Sequence, residues 1–351
     1  MSMHATTTEE HHQLALTARQ VLETAARVDP VPPTWENRAA GLNRQLWRSL
    51  ADLGLLGVGV PEERGGSGGG VRELCLLAEQ VGFAVPRIPF VGTAAVLAVS
   101  RHDATDIVDG SVVVVPAWET LPTAVVPRAR TSALRLNGGT VDGKLGAVAF
   151  GMDADRLLAF AGSVPVIVDL DAPGVRRTPV DSFDVTEPSA AIEFTGVAAT
   201  VLEPVASLDR IRAVLAAELI GTGQRALDGA VEFAGQRHQF GRAIGSFQAI
   251  KHLLADRHVQ LDAARLLVEW AAAALDDERP DATAAAQTAL AAAVDAADCA
   301  TRDALQVHGG IGFTWEHPSH VYLKRARARR SLLGSVAAQL DALADQVLAA
   351  H

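Results

Sequence analysis

The stretch RHQFGRAIGSFQAIKHLLAD, residues 237–256, predicts a tight connection between two long helices. A helical run ends near Arg237, the chain turns through Phe240 and Gly241, and a second helical run begins near Ser246. Because glycine adopts backbone conformations that other residues avoid, Gly241 marks a turn here. The stretch therefore favours a bundle of helices joined by short connections.

The start of the second helix is a candidate binding site for an anion. Ser246 can cap this helix, and Gln248 follows in its first turn. Free backbone N–H groups at a helix start, with Arg237 beside them, suit a bound diphosphate. A plain glycine turn between two packed helices explains the same residues equally well.

A second stretch, QVHGGIGFTWEHP at residues 306–318, breaks another helical run. Gly309, Gly310 and Gly312 interrupt the pattern, and Glu316 follows directly. Glu316 is either a catalytic base at the end of this turn or a charge on a connection between helices.

Outward from these stretches, the chain divides into three regions. Residues 1–110 have helical periodicity, residues 111–205 contain short β-branched runs separated by Gly, Pro, Asn and Asp, and residues 206–351 are helical again in four long stretches. We therefore predict an amino-terminal helical domain, a middle β-barrel or antiparallel sandwich, and a carboxyl-terminal four-helix bundle. The class is mainly α with a central β domain.

Composition excludes several classes of partner. The net charge of −10 disfavours nucleic acid and anionic membrane surfaces as partners. The opening residues MSMHATTTEEHH have neither the basic nor the apolar region of a signal peptide, and no apolar run is long enough to span a bilayer. We expect a cytoplasmic protein.

Three segments together give the chain a resemblance to a known family. They are R-x-x-F-G followed by F-Q within 237–248, Q-x-x-G-G-x-G-F followed by Glu316 within 306–316, and WRSLADLGLLGVGVPEERGGSG at 47–68. This combination resembles the acyl-CoA dehydrogenase family, whose helical–β–helical order also fits the three regions.

The resemblance implies an FAD-dependent enzyme that oxidises an acyl-CoA thioester to its trans-2-enoyl product, in fatty acid or steroid side-chain β-oxidation. Glu316 occupies the position of the family's base, which removes the proton from the α-carbon. An electron-transfer flavoprotein or a similar acceptor would take up the electrons.

The resemblance also assigns residues to FAD. In the family, the equivalent groups reach the flavin of a neighbouring subunit, so they imply a dimer or tetramer, built from copies of this chain or with a homologous subunit. The cofactor-binding residues implied in this way are Arg237, Phe240, Gly241, Gln248, Gln306, Gly309 and Gly310.

Other segments depart from the family pattern. The first strand region, 112–124, lacks the Thr-Glu-Pro signature that seats flavin and thioester. Residues 147–149 replace a Trp-Ile-Thr element, and 331–335 replace a Glu-Gly-Thr element. TEPSA at 186–190 lies near the end of the β region, so we interpret it as a turn with chance similarity.

These departures leave three hypotheses. The chain is an acyl-CoA dehydrogenase with Glu316 as base, or a non-catalytic subunit that completes the FAD site of a homologous catalytic chain. The third is a family member used for non-redox acyl chemistry or as a scaffold without flavin. An α2β2 assembly fits the second hypothesis.

A metal site is a weaker interpretation of the second stretch. His308, Glu316, His317 and His320 are close in sequence, but the glycine turn separates His308 from the others. We therefore predict no metal.

Two further features have alternative interpretations. Glu218 lies on a bundle helix where some family members place another base, yet a paired or partly exposed acid is the simpler interpretation. The basic segment ARARRSLLG at 326–334 either reaches CoA phosphates or forms a solvated helix end.

Overall fold

The computed structural model describes residues 8–30, 40–100, 103–121, 134–203 and 207–349. Helical, β and helical regions follow one another along the chain, as predicted. Within these ranges, no helix combines the length and apolar character required to cross a membrane.

The described part of the amino-terminal region contains five α-helices. Helix α2 ends where Gly54 adopts a left-handed backbone with φ of 70°. Helix α1 packs on α3, and the His11 ring lies 2.6 Å from the Glu73 carboxylate, which in turn accepts a hydrogen bond from the Gly70 N–H. The helices are α1 (Glu9–Val28), α2 (Arg44–Asp52), α3 (Val71–Ala84), α4 (Phe90–Val99) and α5 (Thr105–Val108).

The described part of the middle region forms one seven-stranded sheet in the order β1-β4-β5-β7-β3-β2, with β6 also paired to β7. The pairs are antiparallel except that β1 runs parallel to β4, so the expected antiparallel arrangement is wrong at this edge. Because no hairpin joins β1 to β4, no tight turn fixes their relative direction. The strands are β1 (Val114–Pro116), β2 (Leu134–Asn137), β3 (Thr140–Ala149), β4 (Arg156–Ala161), β5 (Val164–Asp169), β6 (Val175–Val180) and β7 (Ser189–Val201).

The carboxyl-terminal region begins with three long helices, α6 (Asp209–Gln236), α7 (Gln248–Asp276) and α8 (Ala282–His308). A two-stranded hairpin of β8 (His238–Gln239) and β9 (Arg242–Ala243) connects α6 to α7. The last predicted helical stretch is divided into α9 (Ser319–Arg329) and α10 (Val336–Ala349). The break contains Gly334, whose φ of 96° is incompatible with a continuous right-handed helix.

Glycines bring α6 against α3. A Cβ added to Gly82 would lie 1.9 Å from the Glu218 carbonyl oxygen, and one added to Gly221 would lie 1.9 Å from the Glu79 carbonyl oxygen. The two backbones are therefore in direct contact, which fixes the amino-terminal helices on the carboxyl-terminal bundle.

Candidate functional site

The two stretches that carry the predicted site residues lie at one end of the bundle. The ring of Phe233, near the end of α6, is 4.7 Å from the ring of His308 at the end of α8, centroid to centroid. Arg237 ends α6 by donating its backbone N–H to the Phe233 carbonyl, at 2.8 Å. The end of α6, which leads into the hairpin, therefore contacts the end of α8, which leads into the glycine turn.

The hairpin presents an aromatic side chain to solvent. Phe240 and Gly241 form its tip with φ values of 53° and 78°, and Phe240 is 91% exposed. The Arg242 guanidinium stacks over the Phe247 ring, 4.1 Å from its centroid. Helix α7 begins only at Gln248, and the Ser246 hydroxyl donates to the Ala243 carbonyl, so the predicted Ser246 cap is wrong.

The predicted cofactor-binding residues are open to solvent. Six of the seven are exposed and Gly309 is half-buried. A Cβ added to Gly241, Gly309 or Gly310 would meet no atom within 4 Å among the described residues. Together with Arg237 and the free backbone donors that begin α7, this surface suits a phosphate-bearing ligand that approaches from outside the chain.

Glu316 is also exposed, on a connection anchored by its neighbour. The Lys324 ammonium lies 4.4 Å from the Trp315 ring centroid, and the His320 ring meets Trp315 edge to face at 4.6 Å. Within the described ranges, the Glu316 carboxylate has no hydrogen bond or ion pair. It is available to accept a proton from a molecule outside the chain.

Hydrogen bonds fix the tautomers of two histidines beside Glu316. His308 Nδ1 donates to the Ala304 carbonyl at 2.7 Å and to the Ser319 hydroxyl at 3.1 Å, so it carries the proton. The Ser319 hydroxyl and N–H both donate to His317 Nδ1, at 2.7 and 3.2 Å, so that nitrogen is unprotonated. These hydrogen bonds connect the end of α8 to the start of α9.

The same histidines are held in their neutral form. Burial lowers the pKa of His308, and burial together with His308 lowers the pKa of His317. Burial, Lys324 and His317 lower the pKa of His320 to about 4. In the part of the chain that the structure covers, no group of three or more His, Cys, Asp or Glu side chains could hold a metal ion.

A buried polar cluster joins the β region to the bundle. Arg325 on α9 donates to Asp184 at 2.5 Å, to Glu218 at 2.8 Å and to the Thr186 hydroxyl. Arg325 and Glu218 are each 1% exposed. Burial lowers the pKa of the Arg325 guanidinium, but the surrounding carboxylates outweigh burial and raise this pKa above its ordinary value. Asp184 contributes most among them.

Arg329 completes this cluster one helical turn later. Its guanidinium donates to Glu187 at 2.6 Å and to Glu218 at 2.5 Å. Burial alone would raise the pKa of Glu187, but the positive charges of Arg329 and Arg325 hold this pKa below its ordinary value. The pKa of Arg329 lies well above its ordinary value because Glu187 and Glu218 outweigh burial.

Parts of two segments that depart from the family pattern, 112–124 and 147–149, meet beside this cluster. The cavity between them measures about 10 Å³, room for no more than one water molecule. Of the departing segment 112–124, the structure describes residues 112–121. This cavity is therefore too small to hold a flavin ring. Its walls include Pro116, Trp118, Ala149, Phe150, Glu187 and Arg329.

Sequence reasoning gave no role to most members of the cluster. Thr186 and Glu187 do lie in a turn before β7, but they are buried. Glu218 is paired and fully buried, not partly exposed. The solvated interpretation of 326–334 is wrong for Arg329, which is 5% exposed. The four-residue spacing of Arg325 and Arg329, which places both on one face of a helix, was the available signal.

Two family models match the chain. They are described as acyl-CoA dehydrogenase, N-terminal domain, over residues 8–103, and acyl-CoA dehydrogenase, C-terminal domain, over residues 204–348. Among curated proteins, the acyl-CoA dehydrogenase IpdE2 of Mycolicibacterium smegmatis is 31% identical over 344 residues, covering 97% of this chain and 99% of that protein.

Two further comparisons agree. The acyl-CoA dehydrogenase FadE34 of Mycobacterium tuberculosis is 34% identical over 332 residues, but they cover 91% of this chain and only 44% of FadE34. A variant of the steroid ACAD Tcur3481-Tcur3483 has a solved structure that is 30% identical, with a TM-score of 0.86, over 98% of this chain and 99% of that one. This chain belongs to the acyl-CoA dehydrogenase family.

Proposed function

We propose that the chain is one subunit of a hetero-oligomeric acyl-CoA dehydrogenase and completes the FAD site of a homologous catalytic chain. The observation that carries the proposal is the contrast between two places. The exposed surface around Arg237 suits part of a dinucleotide, whereas the cavity beside Arg329, at about 10 Å³, has no room for a flavin ring.

The exposed surface has the chemistry for this role. Arg237 offers a planar fork of donors to a diphosphate, and Phe240 offers an aromatic face that is 91% exposed. Gln248 and Gln306 are exposed amides, and Gly241, Gly309 and Gly310 leave their backbone open to close approach. These groups would hold the diphosphate and adenosine portions of FAD, and FAD supplies the hydride acceptor when bound.

Exposed apolar side chains support an oligomer. Val259 and Leu266 on α7 are each 65% exposed, and Phe313 in the glycine turn is also 65% exposed. Val259 and Leu266, seven residues apart, lie on one face of α7, and exposed apolar side chains on one helix face commonly mark a protein interface. The name of the relative Tcur3481-Tcur3483 joins two names, which is consistent with a partner chain for this protein.

The proposed substrate class is an acyl-CoA, oxidised to its trans-2-enoyl product. The word steroid in the name of that relative favours a bulky acyl group, as in steroid side-chain β-oxidation, over a short fatty acyl chain. An electron-transfer flavoprotein or a similar acceptor would reoxidise the assembly.

A second candidate is catalysis by this chain itself, with Glu316 as base. The free, exposed carboxylate of Glu316 favours it, since a base must be unpaired to accept the α-proton of the thioester. Trp315, held between Lys324 and His320, would keep the carboxylate in position.

Flavin content tests the main proposal. The chain is purified alone and co-expressed with a homologous acyl-CoA dehydrogenase chain, and flavin absorbance is measured per protein. We expect a colourless lone chain and a yellow complex with one FAD per pair of chains. One FAD per chain, with turnover, in the lone protein would refute the proposal.

A further inference from the structure

A cavity of about 70 Å³ lies between the amino-terminal helices and the start of α6, lined by none of the predicted cofactor-binding residues. One side of it is apolar, with walls from Leu56, Val60, Leu74, Phe90 and Leu97. The rest of its lining includes two guanidinium groups, which makes the cavity amphiphilic.

The cations are Arg64 and Arg210. Arg210 donates to the Gly59 carbonyl, and Arg64 donates to the carbonyls of Leu97 and Ser100, at 3.3 and 2.5 Å. The Gly59 carbonyl oxygen satisfies an N–H group of Arg210 but does not neutralise the full positive charge of this guanidinium.

Arg210 has no carboxylate at ion-pairing distance within the ranges that the structure describes. Burial lowers its pKa and Arg64 lowers it further, while the charge of Asp276 acts in the opposite direction. The Asp276 oxygens accept the backbone N–H groups of Val71 and Arg72, at 2.6 and 3.1 Å. A half-buried, incompletely neutralised cation beside a cavity favours an anionic ligand.

We propose that this cavity binds a small carboxylate, with its charged group on Arg210 and Arg64 and its short alkyl part against the apolar wall. Arginine holds carboxylates in a bidentate fork. The amino-terminal end of α6, where Arg210 is the second residue, adds a favourable potential for an anion. A cavity of about 150 Å³ holds benzene, so about half that volume suits a carboxylate of two or three carbons, such as propionate.

Calorimetric titration of the full chain with propionate, at constant ionic strength, tests the proposal. We expect saturable binding that weakens at least about tenfold in Arg210→Gln, since a hydrogen bond to a charged group contributes about 1.5–3 kcal/mol. Arg48→Gln, which changes an exposed arginine outside the cavity, is the matched control and should bind as the wild type does.

A second variant keeps the charges and removes the space. Ala98 lines the cavity, so Ala98→Leu should abolish binding, while Ala255→Leu, at an exposed position, should not. Phosphate, which has no alkyl part, should bind more weakly than propionate. Absence of saturable binding, unchanged binding in Ala98→Leu, or tighter binding of phosphate would each overturn the proposal.

Discussion

Arg325 and Glu218 form a buried ion pair, with Nη1 and Oε1 2.8 Å apart and each side chain 1% exposed. Arg325 belongs to α9 and Glu218 to α6, and the same guanidinium reaches Asp184 between β6 and β7. One side chain therefore ties the β region to two helices of the bundle.

Removing one partner of this pair should destabilise the protein strongly. Arg325→Met leaves Glu218 and Asp184 as buried charges with fewer partners, so we expect a loss of about 3–5 kcal/mol in the free energy of unfolding. Urea denaturation measures it. Lys144→Met is the control, because the Lys144–Glu193 bridge is exposed and should contribute less than about 1 kcal/mol. Equal losses in the two variants would contradict the assignment.

The contact of α3 with α6 predicts opposite effects for two glycine substitutions in one helix. In Gly221→Ala the added Cβ would meet the Glu79 carbonyl at 1.9 Å, so we expect destabilisation by about 2 kcal/mol or more. In Gly229→Ala it meets nothing within 4 Å, so the higher helix propensity of alanine should stabilise by about 0.5–1 kcal/mol. Thermal melts compare the two, and the same sign in both would be incompatible with this packing.

Arg237→Ala should weaken FAD retention by the assembled protein. Loss of a charged donor to the diphosphate is expected to reduce flavin affinity about tenfold or more. Fluorescence of released flavin after dilution measures it, with Arg48→Ala as the exposed control. Unchanged retention in Arg237→Ala would remove the diphosphate assignment.

Glu316→Gln separates the two candidate functions. If the reaction takes place at the partner's flavin, turnover of the assembly should stay within about twofold of the wild type. A fall of about 10²–10⁴-fold, typical of a lost general base, would instead establish Glu316 as catalytic. Steady-state kinetics with an artificial electron acceptor gives the answer, and Glu10→Gln, at an exposed residue of α1, serves as control.

His320 predicts a loss of stability in acid. Its pKa is about 4 in the folded protein, against about 6.5 in an unfolded chain. Between these values the unfolded chain binds more protons, so stability is complete above about pH 6.5 and falls as the pH decreases toward 4. The urea midpoint should therefore drop less between about pH 7.5 and about pH 4.5 in His320→Gln than in the wild type. The exposed His252→Gln should keep the wild-type dependence.

The local pattern of the sequence determined the order of helical, β and helical regions, and the motifs around Phe240 and Gly309 indicated the family. Periodicity and glycine turns act over a few residues, so they can be read along the chain. The break at Gly334 was also readable, because glycine in that position ends a helix.

Only the tertiary structure decided which polar residues are internal. Arg325 meets Asp184 across 141 residues and Glu218 across 107, and spacing rules within one helix extend over only about one turn. The same holds for the closed junction beside Arg329, whose walls come from separate strands and helices. Packing between distant segments determines which charges are paired and which space stays open, and that depends on how the elements meet.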